Sequence, residues 1–268
     1  RQARGPRGAV LLTDALTAIA GLPGVAEACA AARDEVDGLL WDRGVRARAA
    51  EVARESVVRG ARDSAAREGA ELSIEAMLAG LDDSPLGRAA AAALDVTAEI
   101  PHQVDTWQRA PLQVLAHLHV LAARSFADDS DLGRPRTADD VVDPLHIGAL
   151  PSAAEVSPRL ASLADLITTS SAAPAIVLAS IVHGELLALR PFAWGSGLIA
   201  RAGVRLVLAS RGVDPDLMSA PEAGMLSLGR RSYVDGVRDY MSGDPSAMAR
   251  WVMWNAAAVG FGASSARA

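Results

Sequence analysis

A short glycine-containing stretch, "RPFAWGSGLIAR" at residues 190–201, has the composition of an active-site loop. An apolar segment precedes it, and Gly195, Ser196 and Gly197 stand where a second helix would begin. At a helix N-terminus these residues can present several backbone N–H groups to an anion, and the helix dipole strengthens the attraction. The stretch therefore predicts either a binding site for a phosphate-like anion or a tight turn whose glycines relieve backbone strain.

The same residues also match G-x-G-x-x-A, the dinucleotide-binding fingerprint. That fingerprint requires a strand before the glycines and a βαβ unit around them. Here residues 174–189 are rich in Leu and Ala with helical spacing, and no second strand fits before Gly212. We interpret this match as coincidence.

The stretch resembles the signature of the Fic family (filamentation induced by cyclic AMP), H-P-F-x-D/E-G-N-G-R-x-x-R. The matching residues are Pro191, Phe192, Gly195, Gly197 and Arg201. The flanking segments are also similar to the family: "IVHGELLALRPF" before the turn, "LGRPRTADDVVDP" in the loop upstream, and "LSLGRRSYVDGVRDYMSGDPSAMARWVMW" after it. The resemblance covers roughly residues 100–260 and implies a Fic-like helical core with a flap.

Four signature positions depart from the family. The resemblance implies that active members transfer AMP to a hydroxyl group of a target protein, with the signature His as general base. Arg190 stands at that position, and a guanidinium stays protonated at neutral pH. Trp194 replaces the acid that holds Mg²⁺, an ion that prefers oxygen ligands. Ser196 replaces an Asn, and Leu198 replaces a phosphate-binding Arg. We expect no Mg²⁺; ATP or another nucleotide stays an open ligand, and no cofactor is assigned.

A hexapeptide upstream, Ser64–Gly69, fits the pattern S/T-x-x-x-E-G/N. In the Fic family this pattern marks an inhibitory helix whose Glu pairs with the second Arg of the signature. The resemblance therefore implies that Glu68 lies against Arg201, over the N-terminus of the helix predicted at 196–211. The other interpretation is a solvated helical face, because such a short pattern also occurs by chance in an Ala-, Glu- and Arg-rich segment.

The composition predicts the helices that must position these residues. Half of the 268 residues are apolar but only 4% are aromatic, and the abundant Ala, Leu, Arg and Glu favour helix over strand. The net charge of −6 argues against a nucleic-acid binder. The single cysteine, Cys29, excludes an internal disulfide and is compatible with a cytoplasmic protein. No apolar window of about 18 residues predicts a membrane span.

We predict an all-α fold with a possible small β-hairpin flap near Val141–Ile147, and we divide the chain into an N-terminal helical region at 1–99 and a Fic-like domain at 100–268. The predicted helices are at 9–20, 25–80 (one helix or two), 86–99, 102–126 after a turn at Pro101, 158–170, 174–189, 196–211, 221–242 and 245–260. The intervening loop is expected to be solvated and acidic, with Asp128, Asp129, Asp131, Asp139, Asp140 and Asp143.

No other residue type offers an obvious catalytic group. His117 and His119 are two apart on a helix and face different directions, and His183 on its apolar helix is expected to be a core histidine. The leading hypothesis is a degenerate Fic-domain protein without AMP-transferase activity that binds a protein partner or a phosphate-containing ligand.

Two alternatives remain open at this point. One is a divergent nucleotidyl or phosphoryl transferase that uses Arg190 and Arg201 as phosphate clamps. The other is a helical scaffold whose former cleft is core. The identity of the partner and the oligomeric state do not follow from the sequence.

Overall fold

The computed structural model describes residues 15–267, and it confirms the all-α fold. Residues 15–20 are helical and form α1, while residues 9–14 of the predicted first helix lie outside the described residues. The helices that follow are α2 (Val25–Trp41), α3 (Arg43–Ala47), α4 (Ala49–Arg67), α5 (Ile74–Ala79), α6 (Pro85–Trp107), α7 (Pro111–Ala123), α8 (Ala153–Thr168), α9 (Ala175–Leu189), α10 (Ser196–Ser210), α11 (Pro221–Ser227), α12 (Arg230–Ser242) and α13 (Pro245–Arg267).

The segment predicted as one or two helices over 25–80 is divided into α2, α3, α4 and α5. Two of these helices begin at side-chain caps. The Asp42 carboxylate accepts a hydrogen bond from the backbone N–H of Val45, and the Ser73 hydroxyl accepts one from that of Ala76. Short polar side chains at these positions satisfy N–H groups that a new helix leaves free. Local capping therefore sets breaks that the apolar stripe alone did not indicate.

Pro101 does not form the predicted turn, because α6 continues through it to Trp107. A proline inside a helix removes one backbone hydrogen bond and usually bends or ends the helix. Here Pro101 is exposed, whereas Val96 and Ile100 on the other face of α6 are buried. Burial of that apolar face outweighs the loss of the single bond. The predicted helix at 221–242 is instead split, with Gly229 between α11 and α12 at φ 88°.

Helix α9 lies in the centre of the fold. It is predominantly apolar and almost entirely buried, as expected for a helix surrounded by others, and its one charged residue, Glu185, pairs with Arg159. It packs against α10, α12 and α13. A Cβ atom on Gly184 would lie 2.5 Å from Cδ2 of Tyr240, so a side chain there would prevent α12 from approaching. Within residues 15–267, no helix is both long enough and apolar enough to cross a membrane.

The N-terminal helices pack directly on the rest of the chain. Helix α2 lies along α13, and α4 lies against α6, α10 and α11. The first residue of α10 is Ser196, so α4 reaches the helix that begins at the glycine turn. This arrangement brings two segments together that are more than a hundred residues apart in the chain.

The β-hairpin expected near Val141–Ile147 is absent, and no β-strand occurs in residues 15–267. Pro144 has no N–H to donate to a strand ladder, and His146 adopts a left-handed conformation at φ 54°. The loop bonds instead to the turn after α9, since the N–H of Val142 donates to the carbonyl of Ala193 at 2.8 Å. The loop therefore covers the turn without forming a hairpin.

Candidate functional site

The turn at residues 190–195 joins α9 to α10 through two left-handed residues. The φ angle is 43° at Arg190 and 77° at Gly195, where glycine avoids the strain that another residue would bear. The Ser196 hydroxyl accepts a hydrogen bond from the Phe192 N–H at 3.2 Å and donates one to the Phe192 carbonyl at 3.1 Å. Ser196, predicted as a ligand-binding residue, thus uses its hydroxyl inside the turn.

Arg190 is buried and its guanidinium is directed into the covering loop. Its Nη1 donates to Oδ2 of Asp143 at 2.7 Å and to the carbonyl of Gly148 at 3.2 Å, and its Nη2 donates to the carbonyl of Ala149. Only 4% of the residue is exposed. The residue at the position of the family's general base therefore holds the loop at 143–149. Asp143, expected among the solvated acidic residues, is instead a partly buried ion-pair partner whose side chain is 17% exposed.

A second arginine bonds to the turn and to carbonyls that flank the loop at 143–149. Arg136 donates from Nε to the carbonyl of Arg190 at 2.9 Å, from Nη1 to Ala138 at 2.9 Å and from Nη2 to Pro151 at 2.5 Å. Its backbone N–H donates to the carbonyl of Pro191 at 2.8 Å. The side chain is 2% exposed, so these bonds form away from water and are correspondingly strong.

Apolar packing occupies the two positions where the family has a metal ligand and a phosphate-binding arginine. Trp194 stacks on Phe126 with ring centroids 4.0 Å apart and planes inclined by 8°. Leu198 is 1% exposed and belongs to the hydrophobic core. Trp194 offers no oxygen to a cation, and Leu198 offers no N–H donor to a phosphate.

Glu68 and Arg201 are in contact, as the upstream motif led us to expect. Nη2 of Arg201 donates to Oε1 of Glu68 at 2.5 Å and to the carbonyl of Ser64 at 3.1 Å, while its Nε donates to the Ser64 hydroxyl at 2.7 Å. Both side chains are buried. Burial alone would lower the pKa of Arg201, but the neighbouring Tyr233 and Glu68 outweigh it and raise the pKa above its usual value. Arg201 therefore stays charged, and its guanidinium is hydrogen-bonded to Ser64 and Glu68.

The Glu68 carboxylate lies directly over Gly197, in the first turn of α10. A Cβ atom on Gly197 would lie 2.2 Å from Oε1 of Glu68, so any side chain at this position would displace the carboxylate. The N-terminus of a helix is the favoured place for a negative charge. The anion position that the glycine turn predicts is thus taken by a side chain of the protein itself.

The network continues from Arg201 into the core. Nη1 of Arg201 donates to the Tyr233 hydroxyl at 3.5 Å, and that hydroxyl lies 2.7 Å from Nε2 of His183. Nδ1 of His183 lies 2.7 Å from Oδ1 of Asn255, whose Nδ2 donates to the carbonyl of Trp251. Because Oδ1 must accept, His183 carries its proton on Nδ1 and accepts from Tyr233 on Nε2.

His183 is thus a satisfied core histidine, as predicted, and burial lowers its pKa to about 3. His119 is likewise part of the packing. Its ring stacks on Phe192 with centroids 4.1 Å apart, and its Nδ1 accepts the N–H of Gly133 at 3.0 Å. Burial lowers the pKa of His119 to about 4. Neither histidine is directed at a nucleophile.

The structure brings together Glu68, Gly197 and Arg201, while Arg190 belongs to a separate cluster with Arg136 and Asp143. Asp143 was expected only as part of a solvated acidic loop and Arg136 only as part of a family-like segment, so their contacts with Arg190 were not predicted. No local spacing marks the contact of Asp143, since it is 47 residues from Arg190 in the chain.

Two solved structures have a fold similar to that of this chain. No protein-family model and no curated protein matches the sequence. A Fic family protein from Desulfovibrio desulfuricans G20 is similar with a TM-score of 0.73 and 20% identity, over 91% of this chain and 74% of that one. A fragment of Fic-1 from C. elegans is similar with a TM-score of 0.65 and 18% identity, over 91% and 72% of the two chains. The helices around the 190–201 turn are therefore arranged in the Fic fold.

Proposed function

We propose that this chain is a degenerate Fic-domain protein that lacks AMP-transferase activity and acts by binding a protein partner. The observation that carries the proposal is the state of Arg190. It stands at the position of the family's general base, and it cannot accept a proton at neutral pH. Its Nη1 and Nη2 atoms donate hydrogen bonds to Asp143 and to two loop carbonyls. Loss of one general base typically costs on the order of 10²–10⁴ in rate.

The residues present do not fit Mg²⁺ and a nucleotide bound in the family's manner. Trp194 and Leu198 supply packing in place of oxygen ligands and N–H donors. The donors of Arg201 are taken by Glu68 and Ser64, and the Glu68 carboxylate lies where a phosphate would meet the helix N-terminus.

The alternative, a transferase that clamps phosphate with Arg190 and Arg201, is disfavoured by the same contacts. The two guanidinium groups belong to different clusters, and each already bonds to a carboxylate. Phosphate would have to replace both carboxylates, and the removal of one partner from a buried ion pair typically costs about 3–5 kcal/mol.

A binding role is supported by an exposed aromatic residue far from the turn in sequence. Trp41, at the end of α2, is 70% exposed, and the guanidinium of Arg46 lies 5.4 Å from the centroid of its ring. Tryptophan and arginine are the residues most enriched at the energetic centres of protein interfaces. We infer that Trp41 and Arg46 belong to the surface through which this chain, folded but without transferase activity, binds a protein.

The test is a transfer assay with labelled ATP and Mg²⁺, with the purified protein alone and with a cell lysate. We expect no label on any protein, either with the wild type or with Glu68→Ala. The variant is needed because an inhibited but competent enzyme would become active once Glu68 is removed. Mg²⁺-dependent labelling by either protein, lost in Arg190→Ala, would overturn the proposal.

A further inference from the structure

A cleft on the far side of α4 from the buried network has no role in the proposed function. It lies between α4, α5 and the end of α13 and has a volume of about 860 Å³. Its apolar lining consists mainly of Val52, Val58, Ile74, Leu78 and Met218. Cavities that bind small molecules typically span about 300–1,000 Å³ and are lined mostly by apolar side chains. The size and the lining are therefore those of a small-ligand site.

Positive charge surrounds this apolar lining, although the whole chain is acidic. One acidic residue of the described chain, Glu55, lines the cleft together with five arginines: Arg48, Arg54, Arg59, Arg62 and Arg267. We name it the arginine-rimmed cleft. The concentration of guanidinium groups on a protein of net charge −6 favours an anionic occupant.

Two of these arginines have guanidinium N–H groups that no carboxylate of residues 15–267 accepts from. Arg54 is exposed and forms neither a hydrogen bond nor an ion pair within residues 15–267. Arg59 donates from Nη1 to the carbonyl of Ser265 at 2.9 Å and forms no salt bridge in the same part of the chain. The other three each have a carboxylate within ion-pair distance.

Part of the apolar lining is also exposed, although Val52 and Met218 are buried. Leu78 is 69% exposed, among the most exposed large hydrophobic side chains of the described chain, although it lines a cleft with four other apolar residues. Covering such a side chain contributes about 25 cal/mol for each Å² of apolar surface removed from water. Free guanidinium donors and uncovered apolar surface thus occur in one cavity.

We propose that the arginine-rimmed cleft binds a small amphipathic anion, with an aliphatic body against Ile74 and Leu78 and a carboxylate or phosphate headgroup at Arg54 and Arg59. Guanidinium groups pair with either headgroup through two parallel hydrogen bonds. The site is independent of the glycine turn, so it stands whether or not the chain transfers AMP.

The test is isothermal titration of the full chain with decanoate below its micelle concentration. We expect saturable binding to one site, no binding of acetate, which lacks the aliphatic body, and much weaker binding of decyltrimethylammonium, which has the opposite charge. Arg54→Gln should weaken decanoate binding about tenfold, the effect of one lost charge-assisted hydrogen bond. Leu78→Ser should weaken it as well.

Arg231→Gln is the matched control, because this arginine is 97% exposed on α12 and does not line the cleft. It should bind decanoate like the wild type, and thermal unfolding of each variant verifies that all of them are folded. Absence of decanoate binding, equal binding of the cationic amphiphile, or unchanged affinity in Arg54→Gln would overturn the proposal.

Discussion

The carboxylate of Glu68 and the guanidinium of Arg201 lie 2.5 Å apart, although 133 residues separate them in the chain. Their side chains are 6% and 0% exposed. The contact joins the C-terminal end of α4 to the first turns of α10. In this chain, where the turn at 190–195 is tied down by Arg136 and Arg190, we expect the pair to stabilise the docking of α4.

The first prediction concerns that pair. Glu68→Ala and Arg201→Ala should each lower the free energy of unfolding by about 3–5 kcal/mol, because each leaves a buried charge without its partner. The double variant should cost less than the sum of the two, since the second substitution removes the charge that the first one left unpaired. Urea unfolding of the four proteins measures the coupling.

The control for this double-mutant cycle is the exposed i,i+4 pair of Arg231 and Asp235, whose nitrogen and oxygen atoms are 3.7 Å apart. It should show no measurable coupling, because solvent screens exposed charges. Strictly additive effects for Glu68 and Arg201 would mean that their contact does not hold α4 in place.

The second prediction concerns Arg190 as the tether of the covering loop. Arg190→Ala should increase amide hydrogen exchange in residues 143–149, which would lose their bonds to the guanidinium. The control is Arg211→Ala, which removes bonds to the carbonyls of Ile167 and Thr169 elsewhere on the surface. Unchanged protection of the loop in Arg190→Ala would show that its other contacts hold it, among them the bonds from Arg230 to Pro144 and from Arg238 to Ile147.

The third prediction is that Arg190→His alone does not produce AMP transfer. The imidazole would supply a base, but Trp194 would still offer no oxygen to Mg²⁺ and Leu198 no donor to phosphate. A series that adds Trp194→Asp, Ser196→Asn and Leu198→Arg is followed with labelled ATP, and circular dichroism verifies folding at each step. Transfer at the first step would show that the cleft accepts a nucleotide without these changes.

The fourth prediction concerns Asp63, a buried acid on α4. Neither carboxylate oxygen accepts a hydrogen bond, although Nε of Arg62 lies 2.8 Å away. Burial, to which the charge of Glu222 adds, raises the pKa of Asp63 from 3.8 to about 6, in spite of the opposing effect of Arg62. Because the folded pKa exceeds the unfolded one, the folded state binds more protons between these values. The contribution of Asp63 to the free energy of unfolding is therefore lost as the pH rises from about 4 to 6.

Asp63→Asn should accordingly be more stable than the wild type at pH 8, by up to about 3 kcal/mol, and this advantage should shrink towards pH 4. Urea unfolding of both proteins at the two pH values isolates Asp63, because the histidines titrate equally in each. A difference that is the same at pH 4 and pH 8 would show that the carboxyl group does not ionise within this range.

Local patterns in the sequence were sufficient for the all-α class and for most of the helices. Ala- and Leu-rich periodicity placed α9 and α10 within about a residue of their observed ends, and Gly195 marked the turn between them. Such signals act over a few neighbouring residues, so they are present in the sequence itself. The matched positions of Glu68 and Arg201 likewise led us to expect their contact.

Only the tertiary structure decided where Pro101, the loop at 143–149 and Arg190 would lie. Helix α6 continues through Pro101 because its opposite face is buried against other helices, which is a property of packing. Arg190 holds this loop because the fold brings Asp143, a loop residue 47 positions away in the chain, into contact with it. A buried charge must find its partner wherever the fold places one. The residue type therefore shows that Arg190 cannot act as a base at neutral pH, whereas the packing of the chain determines which groups it contacts instead.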